Sequence, residues 1–195
     1  MARTAGSHSE ITGPRIRDAA LRLFAEQGYA AISMRQLAAE VGVQAGALYV
    51  YSPDKQSLLF SLMRDHMAAR QAAWNSVAKP PGPVAQLEAF VKFHIAFQID
   101  NAMAVQLCHL EQRSLDNANK AAFDAMRREY QTALEQILRQ GHGEKLFTFA
   151  DPQIVTKALM AMLSGIGQWY RPDGKLSRDR IERIIWNMAR KAVGA

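Results

Sequence analysis

A single cysteine, Cys108, leaves this chain of 195 residues with no internal disulfide and no multi-cysteine zinc site, a composition that suits a reducing compartment. No stretch stays apolar for about 18 residues, so no membrane-spanning helix and no membrane partner are expected. The opening segment "MARTAGSHSEITGPR" lacks the apolar core of roughly 7 to 15 residues that a signal peptide requires. The expected location is the cytoplasm. Strand patterns are also missing, since no apolar/polar alternation runs longer than about four residues. Pro and Gly cluster at one internal break, "AKPPGP" at 78–83, and there is no internal repeat or low-complexity tract. No HExxH or paired-Cys pattern occurs, and "GHGE" and "GIG" lack the strand and the remaining glycines of a nucleotide loop. Cys108 and His109 are sequence neighbours, so on a helix their side chains diverge by about 100° and do not make a nucleophile and base pair. No enzymatic activity, cofactor or metal is expected.

What is present is an ordinary globular balance of 49% hydrophobic and 22% charged residues, with a formal charge of +6. That charge admits a nucleic-acid partner without requiring one. Residues 1–60 carry six Lys/Arg against five Asp/Glu, whereas residues 171–191 carry seven against three. Charge alone therefore does not single out the N-terminal part as a DNA reader.

Apolar residues recur at three and four throughout, which predicts an all-α chain of about nine helices. Ile16, Ala19, Ala20, Leu23 and Phe24 form the stripe of a first helix, with Pro14 suited to its first turn and Gly28 to its end. Ser33 followed by Gln36 is a capping box, and Ile32 with Leu37 a hydrophobic staple, so a second helix starts here and runs to about Val41. Gly42 ends it, and a short third helix spans Gln44 to about Val50. Ser52, Pro53 and Asp54 mark the start of a long helix reaching roughly to Ser76. Further helices are expected near 84–100, 102–112 and 116–140, then one capped by Asp151 and Pro152, and a last one capped by Ser177. The domain reading is a helix-turn-helix unit with its N-terminal arm at 1–51 and a larger helical unit at 52–195.

Two short helices joined by a glycine turn, with a third before them, outline a helix-turn-helix. Leu37, Ala38, Val41, Val43 and Leu48 supply the contacts that fix the angle between the two helices. Gln44, Ala45, Gly46 and Ala47 are small or polar enough to let the helix backbone approach the floor of a major groove. Gln44 can pair with adenine, and Ala45 or Ala47 can touch a thymine methyl. Tyr49 and Tyr51 offer hydroxyls, and Lys55 a charge, to phosphates. The same Ala/Gly run also fits a tight helix crossing inside a bundle.

The run "SMRQLAAEVGVQAGALYVYSPDKQSLL" closely resembles the DNA-binding signature of the TetR family of transcriptional regulators, densely over residues 14 to about 62. The resemblance implies an N-terminal unit that binds double-stranded operator DNA and a variable helical domain that binds a small molecule and forms a homodimer. Carried over by position, Ser33 and Arg35 would meet the DNA backbone, Gln44, Ala45 and Gly46 the bases, and Tyr49, Tyr51 and Lys55 the phosphates. Three departures concern base reading: Gln44 replaces the usual Ser or Thr, Ala47 lacks the hydroxyl common in relatives, and Ser52 stands where an aromatic is usual.

In the larger part, "GIGQWYRPDGKLS" at 165–177 resembles a segment of TetR-type regulators that respond to acyl-CoA thioesters. It equally reads as a turn built by Pro172 and Gly174 and packed by Trp169 and Tyr170. A hydrophobic effector, with an acyl-CoA as one candidate, would be lined by Phe90, His94, Phe97, Met103, Leu107, Phe123, Met126, Tyr130, Met162 and Trp169. Arg113, Arg127 or Arg128 could meet a CoA moiety. The helices flanking the turn would supply the dimer surface through Met160, Leu163, Gly167, Ile181, Ile185 and Met188, which also suit a protomer core. The resulting expectation is a homodimeric repressor released from a palindromic operator by a hydrophobic small molecule. The rival is an all-helical carrier or enzyme that does not bind DNA specifically.

Overall fold

A computed structural model describes the backbone of residues 6–195 and the side chains from residue 12 onward. Among the described residues there are nine helices and no strand: α1 (Gly6–Gln27), α2 (Met34–Val41), α3 (Ala45–Tyr51), α4 (Lys55–Ser76), α5 (Pro83–Asp100), α6 (Ala102–Glu111), α7 (Asn117–Gly143), α8 (Pro152–Trp169) and α9 (Arg178–Ala192). The all-α reading holds. No helix among these is long and apolar enough to cross a membrane.

The chain forms two compact units, one of residues 1–66 with 103–124 and the other of 67–102 with 125–195. The helix-turn-helix segment thus shares its unit with the first half of α4, nearly all of α6 and the start of α7.

In the first unit the α1 stripe buries Ile16, Ala20, Leu23 and Phe24, and α2 and α3 close over them with Leu37, Ala38, Val41 and Leu48. Burying each of the Val, Leu, Ile and Phe side chains among them stabilises by about 1.5–3 kcal/mol. Polar ties fix the helix angles around this core. Arg15 donates to the Val41 carbonyl at 2.9 Å, Arg22 pairs with Glu40, and Arg17 reaches Asp65 at 2.6 Å and Ser61 at 3.0 Å.

Two helix starts differ from the sequence expectation. α1 continues upstream of Pro14, which sits inside the helix and removes one N–H donor there. α4 begins at Lys55, with Asp54 as its cap: the carboxylate accepts the Ser57 N–H at 2.6 Å, and the carbonyl accepts that of Leu58. Ser52 instead closes α3, its N–H donating to the Leu48 carbonyl and its buried hydroxyl to the Asp54 carbonyl. Serine and aspartate are equally good caps, so two candidates two residues apart are not separable by type.

The second unit packs α5 against α8 and α9 around Leu87, Phe90, Ile95, Leu159, Leu163, Ile181 and Ile185. The Gly-His-Gly at 141–143 does not interrupt α7, which ends only at Gly143. Gly141 has a packing role, because a Cβ there would collide with the Phe147 ring lying across it. Asp151 caps α8 through the N–H groups of Gln153 and Ile154, and Ser177 caps α9 through that of Arg180.

Candidate functional site

The reader helices are built by local chemistry. Ser33 accepts the Gln36 N–H at 3.2 Å while the Gln36 side chain accepts the Ser33 N–H at 2.8 Å, so the capping box of α2 is complete. Gly42 lies at φ 76°, a left-handed conformation, and its N–H returns to the carbonyls of Ala38 and Ala39. That turn sends the chain into α3 after two residues. Gln44 precedes α3 and makes no side-chain cap bond, so its exposed amide has no role in holding the helix.

Gly46 is exposed, and a Cβ built there would meet nothing within 4 Å. Nothing in the protein's own packing demands a glycine at this position. Tyr49 is 53% exposed on the same helix. Tyr51 is anchored differently, with its ring against Gly13 of α1 at 3.4 Å from a would-be Cβ.

Ser33, Arg35, Ala45, Tyr49 and Lys55 line one open depression of about 790 Å³, together with Ala30, Ala31, Ile32 and Met34. Five of the eight DNA-contact candidates from the sequence thus share a single concavity. Gln44, Gly46 and Tyr51 are exposed outside it.

Lys55 is held at the rim, its Nζ 4.1 Å from the centroid of the Tyr29 ring. Partial burial lowers its pKa, opposed by the negative charge of Glu111. Burial raises the Tyr29 phenol above its usual range, reinforced by the charges of Asp54, Glu111 and Asp116.

Glu111 is a member of this site that sequence reasoning missed. Its buried carboxylate accepts the Tyr29 N–H at 2.9 Å and the Ser114 hydroxyl at 2.6 Å. Gln106 adds a bond to the Ala25 carbonyl, and Gln56 one to that of Ser114. α6 therefore holds the end of α1 and the start of the α1–α2 connection. These partners lie 58 to 82 positions apart, and no local pattern signals them.

The ten expected effector-lining residues fall in both units. Met103, Leu107 and Phe123 belong to the first, where Met103 is exposed and borders a depression shared with Arg15, Arg22 and Glu40. Phe90, His94, Phe97, Met126, Tyr130, Met162 and Trp169 belong to the second. There Phe90, His94 and Tyr130 form a buried aromatic group, with Phe90 and Tyr130 centroids 5.3 Å apart. His94 Nδ1 lies 3.1 Å from the Tyr130 hydroxyl and its Nε2 3.0 Å from Gln98 Nε2. Trp169 is half exposed. Burial pushes the Tyr130 phenol far above its ordinary range, opposed by the nearby charge of Arg70.

Of the six expected dimer positions, Met160, Leu163, Ile181 and Ile185 are buried in the protomer's own core. Met188 is exposed and Gly167 half-buried. Ile184, one turn before Met188, and Trp169 are exposed apolar neighbours in sequence of that set.

A capped helix, a left-handed glycine turn and a short second helix with outward small residues define a helix-turn-helix protein. The sequence profile described as "Bacterial regulatory proteins, tetR family" matches residues 16–62, and that described as "Tetracyclin repressor-like, C-terminal domain" matches residues 80–193. The chain belongs to the TetR family.

Curated relatives include YuxN of Bacillus subtilis, an HTH-type transcriptional regulator 42% identical over 48 residues, covering 25% of this chain and 16% of that protein. AcrR of Shigella flexneri is 40% identical over 58 residues, covering 30% and 27%. The match thus spans well under a third of these curated relatives. Solved structures are similar over nearly the whole chain. A tetR-family regulatory protein from Rhodococcus RHA1 has a TM-score of 0.88 at 24% identity, covering 94% of this chain and 97% of that one. AibR, solved with isovaleryl coenzyme A and operator DNA, has a TM-score of 0.81 at 25% identity, covering 91% and 97%.

Proposed function

We propose that this protein is a cytoplasmic, homodimeric transcriptional repressor that binds a palindromic operator through α2 and α3 and leaves it when a hydrophobic small molecule binds the second unit. The observation that carries the DNA reading is the shared depression of Ser33, Arg35, Ala45, Tyr49 and Lys55 beside the open face of Gly46. Arg35, Tyr49 and Lys55 are the phosphate contacts, and Gln44, Ala45 and Gly46 face the bases. Two such readers would enter major grooves about 34–36 Å apart or a longer multiple of the helical repeat.

The exposed apolar residues Trp169, Ile184 and Met188 support a second copy docking along α8 and α9. For the effector, the aromatic group of Phe90, His94 and Tyr130 supports an apolar ligand with few polar contacts. An acyl-CoA thioester is the candidate, supported by the likeness to AibR, which was solved with isovaleryl coenzyme A. Because α4 belongs to both units, a ligand that prefers one tilt of α4 would shift the spacing of the readers.

The test is a gel shift of the full chain on the DNA upstream of its own gene and on random DNA, over a series of salt concentrations. The expected result is preference for one site with steep weakening as salt rises. Equal, weak binding to all DNA would overturn the reading. Adding fatty acids, acyl-CoA thioesters and unrelated hydrophobes to the preformed complex then tests the effector.

A further inference from the structure

The lysine at the rim of the reader depression stands on an aromatic ring, and both are tied to the end of α6. Lys55 Nζ lies 4.1 Å from the centroid of the Tyr29 ring, close enough for a cation–π attraction. The ring is set edge-on against the buried Phe24, with centroids 5.4 Å apart. Glu111 Oε1 accepts the Tyr29 N–H at 2.9 Å, and its Oε2 accepts the Ser114 hydroxyl at 2.6 Å. The Ser114 carbonyl accepts the side-chain amide of Gln56, the residue after Lys55, at 2.8 Å. The seat of the lysine and the helix start that carries it are thus bonded to the same short segment, 111–114.

The end of α1 gives the Tyr29 bond its specificity. Gly28 has φ 88°, the left-handed conformation of a helix stop, and its N–H returns to the Phe24 carbonyl at 3.1 Å. In the fuller form of that cap the next N–H also returns to the helix. Here it goes to Glu111 instead, and the Ala25 carbonyl is met by Gln106. Glu111 is 9% exposed, a costly place for a carboxylate that these bonds offset. Its negative charge bears on both partners of the pair, adding to burial and Asp54 in raising the Tyr29 phenol and opposing the burial that lowers Lys55.

We infer that Glu111 is a positioning residue for DNA binding: through its bond to the Tyr29 N–H it fixes the ring on which Lys55 stands, and so places that charge for a phosphate. A lysine has a long flexible stem, and an ammonium already held on a ring loses less freedom when it meets a phosphate. Glu111 is buried and is not among the residues lining the depression, so it acts through Tyr29 and Lys55. The phosphate contact rests on the DNA reading above, whereas the placing of Lys55 by Glu111 does not.

The experiment has one arm without DNA and one with it. Without DNA, proton NMR of the full chain reads the ring-current shift of the Lys55 ε-methylene, assigned by its loss in Lys55→Gln. Glu111→Ala should move that signal to the position of a free lysine, and Glu111→Gln, which can accept the same N–H and donate to Ser114, should restore it. An unmoved signal in Glu111→Ala overturns the proposal, and so does a Gln variant that behaves like the Ala one. On the operator fragment, Glu111→Ala should flatten the salt dependence by about two, as Lys55→Gln does, and adding it to Lys55→Gln should change affinity by less than about twofold. Effects that multiply in that double-mutant cycle would mean that Glu111 acts independently of Lys55, which overturns the proposal. Should Glu111→Ala not fold, Tyr29→Leu keeps the backbone bond and removes the ring: the same flattened slope supports the proposal, and a wild-type slope overturns it. A wild type without operator preference removes the DNA reading and the role of Glu111 in it, while the NMR arm still decides whether Glu111 places Lys55.

Discussion

Gly46 lies on α3 with nothing within 4 Å of a would-be Cβ. An alanine there would normally favour a helix by about 0.5–1 kcal/mol, and the space around it is open, so the protein's own stability argues against glycine. Gly46→Ala should therefore leave the urea midpoint unchanged or raised while weakening operator binding by about 1–3 kcal/mol, the size of one lost base contact. A matching loss of stability and DNA affinity would mean that the glycine serves packing instead. Gln44→Ala should likewise cost no stability, having no cap bond to lose, and should relax discrimination at a single base pair. Residue identity made these positions legible in the sequence, because small size and amide chemistry are intrinsic to each side chain. Glu111 escaped that reading, since its bond to the Tyr29 N–H joins positions 82 apart and no spacing along one helix signals it.

Capping residues made most helices readable. The box at Ser33 and the caps at Asp151 and Ser177 formed where expected, because each satisfies N–H groups within four residues of itself. Ser33→Ala removes the acceptor for the Gln36 N–H and should lower stability by about 1 kcal/mol in urea unfolding. At the head of α4 the cap is ionic. The Asp54 carboxyl is held below its ordinary pKa, chiefly by the Ser57 N–H. Its folded pKa lies under its unfolded one, so its contribution is present above the usual carboxylate range and is lost as pH falls through the folded value. Asp54→Asn should flatten that acidic limb of a stability-against-pH curve while keeping a cap. The start of α4 was misjudged by two residues for the same reason that caps are informative: Ser52 and Asp54 both qualify by type, and only the contacts of the folded chain assign them.

For the whole protein, Arg35 and Lys55, the charged phosphate contacts proposed for each copy, would set the salt response. On that proposal two copies would make about four charged contacts, so a slope of about −3.6 for the logarithm of affinity against that of salt is expected, and Lys55→Gln should flatten it by about two. Sedimentation should show a dimer that Ile184→Glu with Met188→Glu dissociates without unfolding the protomer, because both side chains are already exposed. A monomeric wild type would remove that part of the proposal. The boundary at 51/52 follows the end of the helix-turn-helix, whereas the contacts of the reader reach through α4 to His66 and across to residues 103–124. Such contacts join segments far apart in the chain, and periodicity carries no information about them.

That discontinuity bears on how such a gene could be recombined. A crossover placed after His66 would carry the reading helices into a new protein but leave behind Gln106, Glu111 and Ser114, whose bonds close the unit around Ala25, Tyr29 and Gln56. Exchange of operator specificity between paralogues is thus easier by point changes on α3 than by shuffling a contiguous N-terminal cassette. A working chimera needs two grafts, residues 1–66 and 103–124, from one parent.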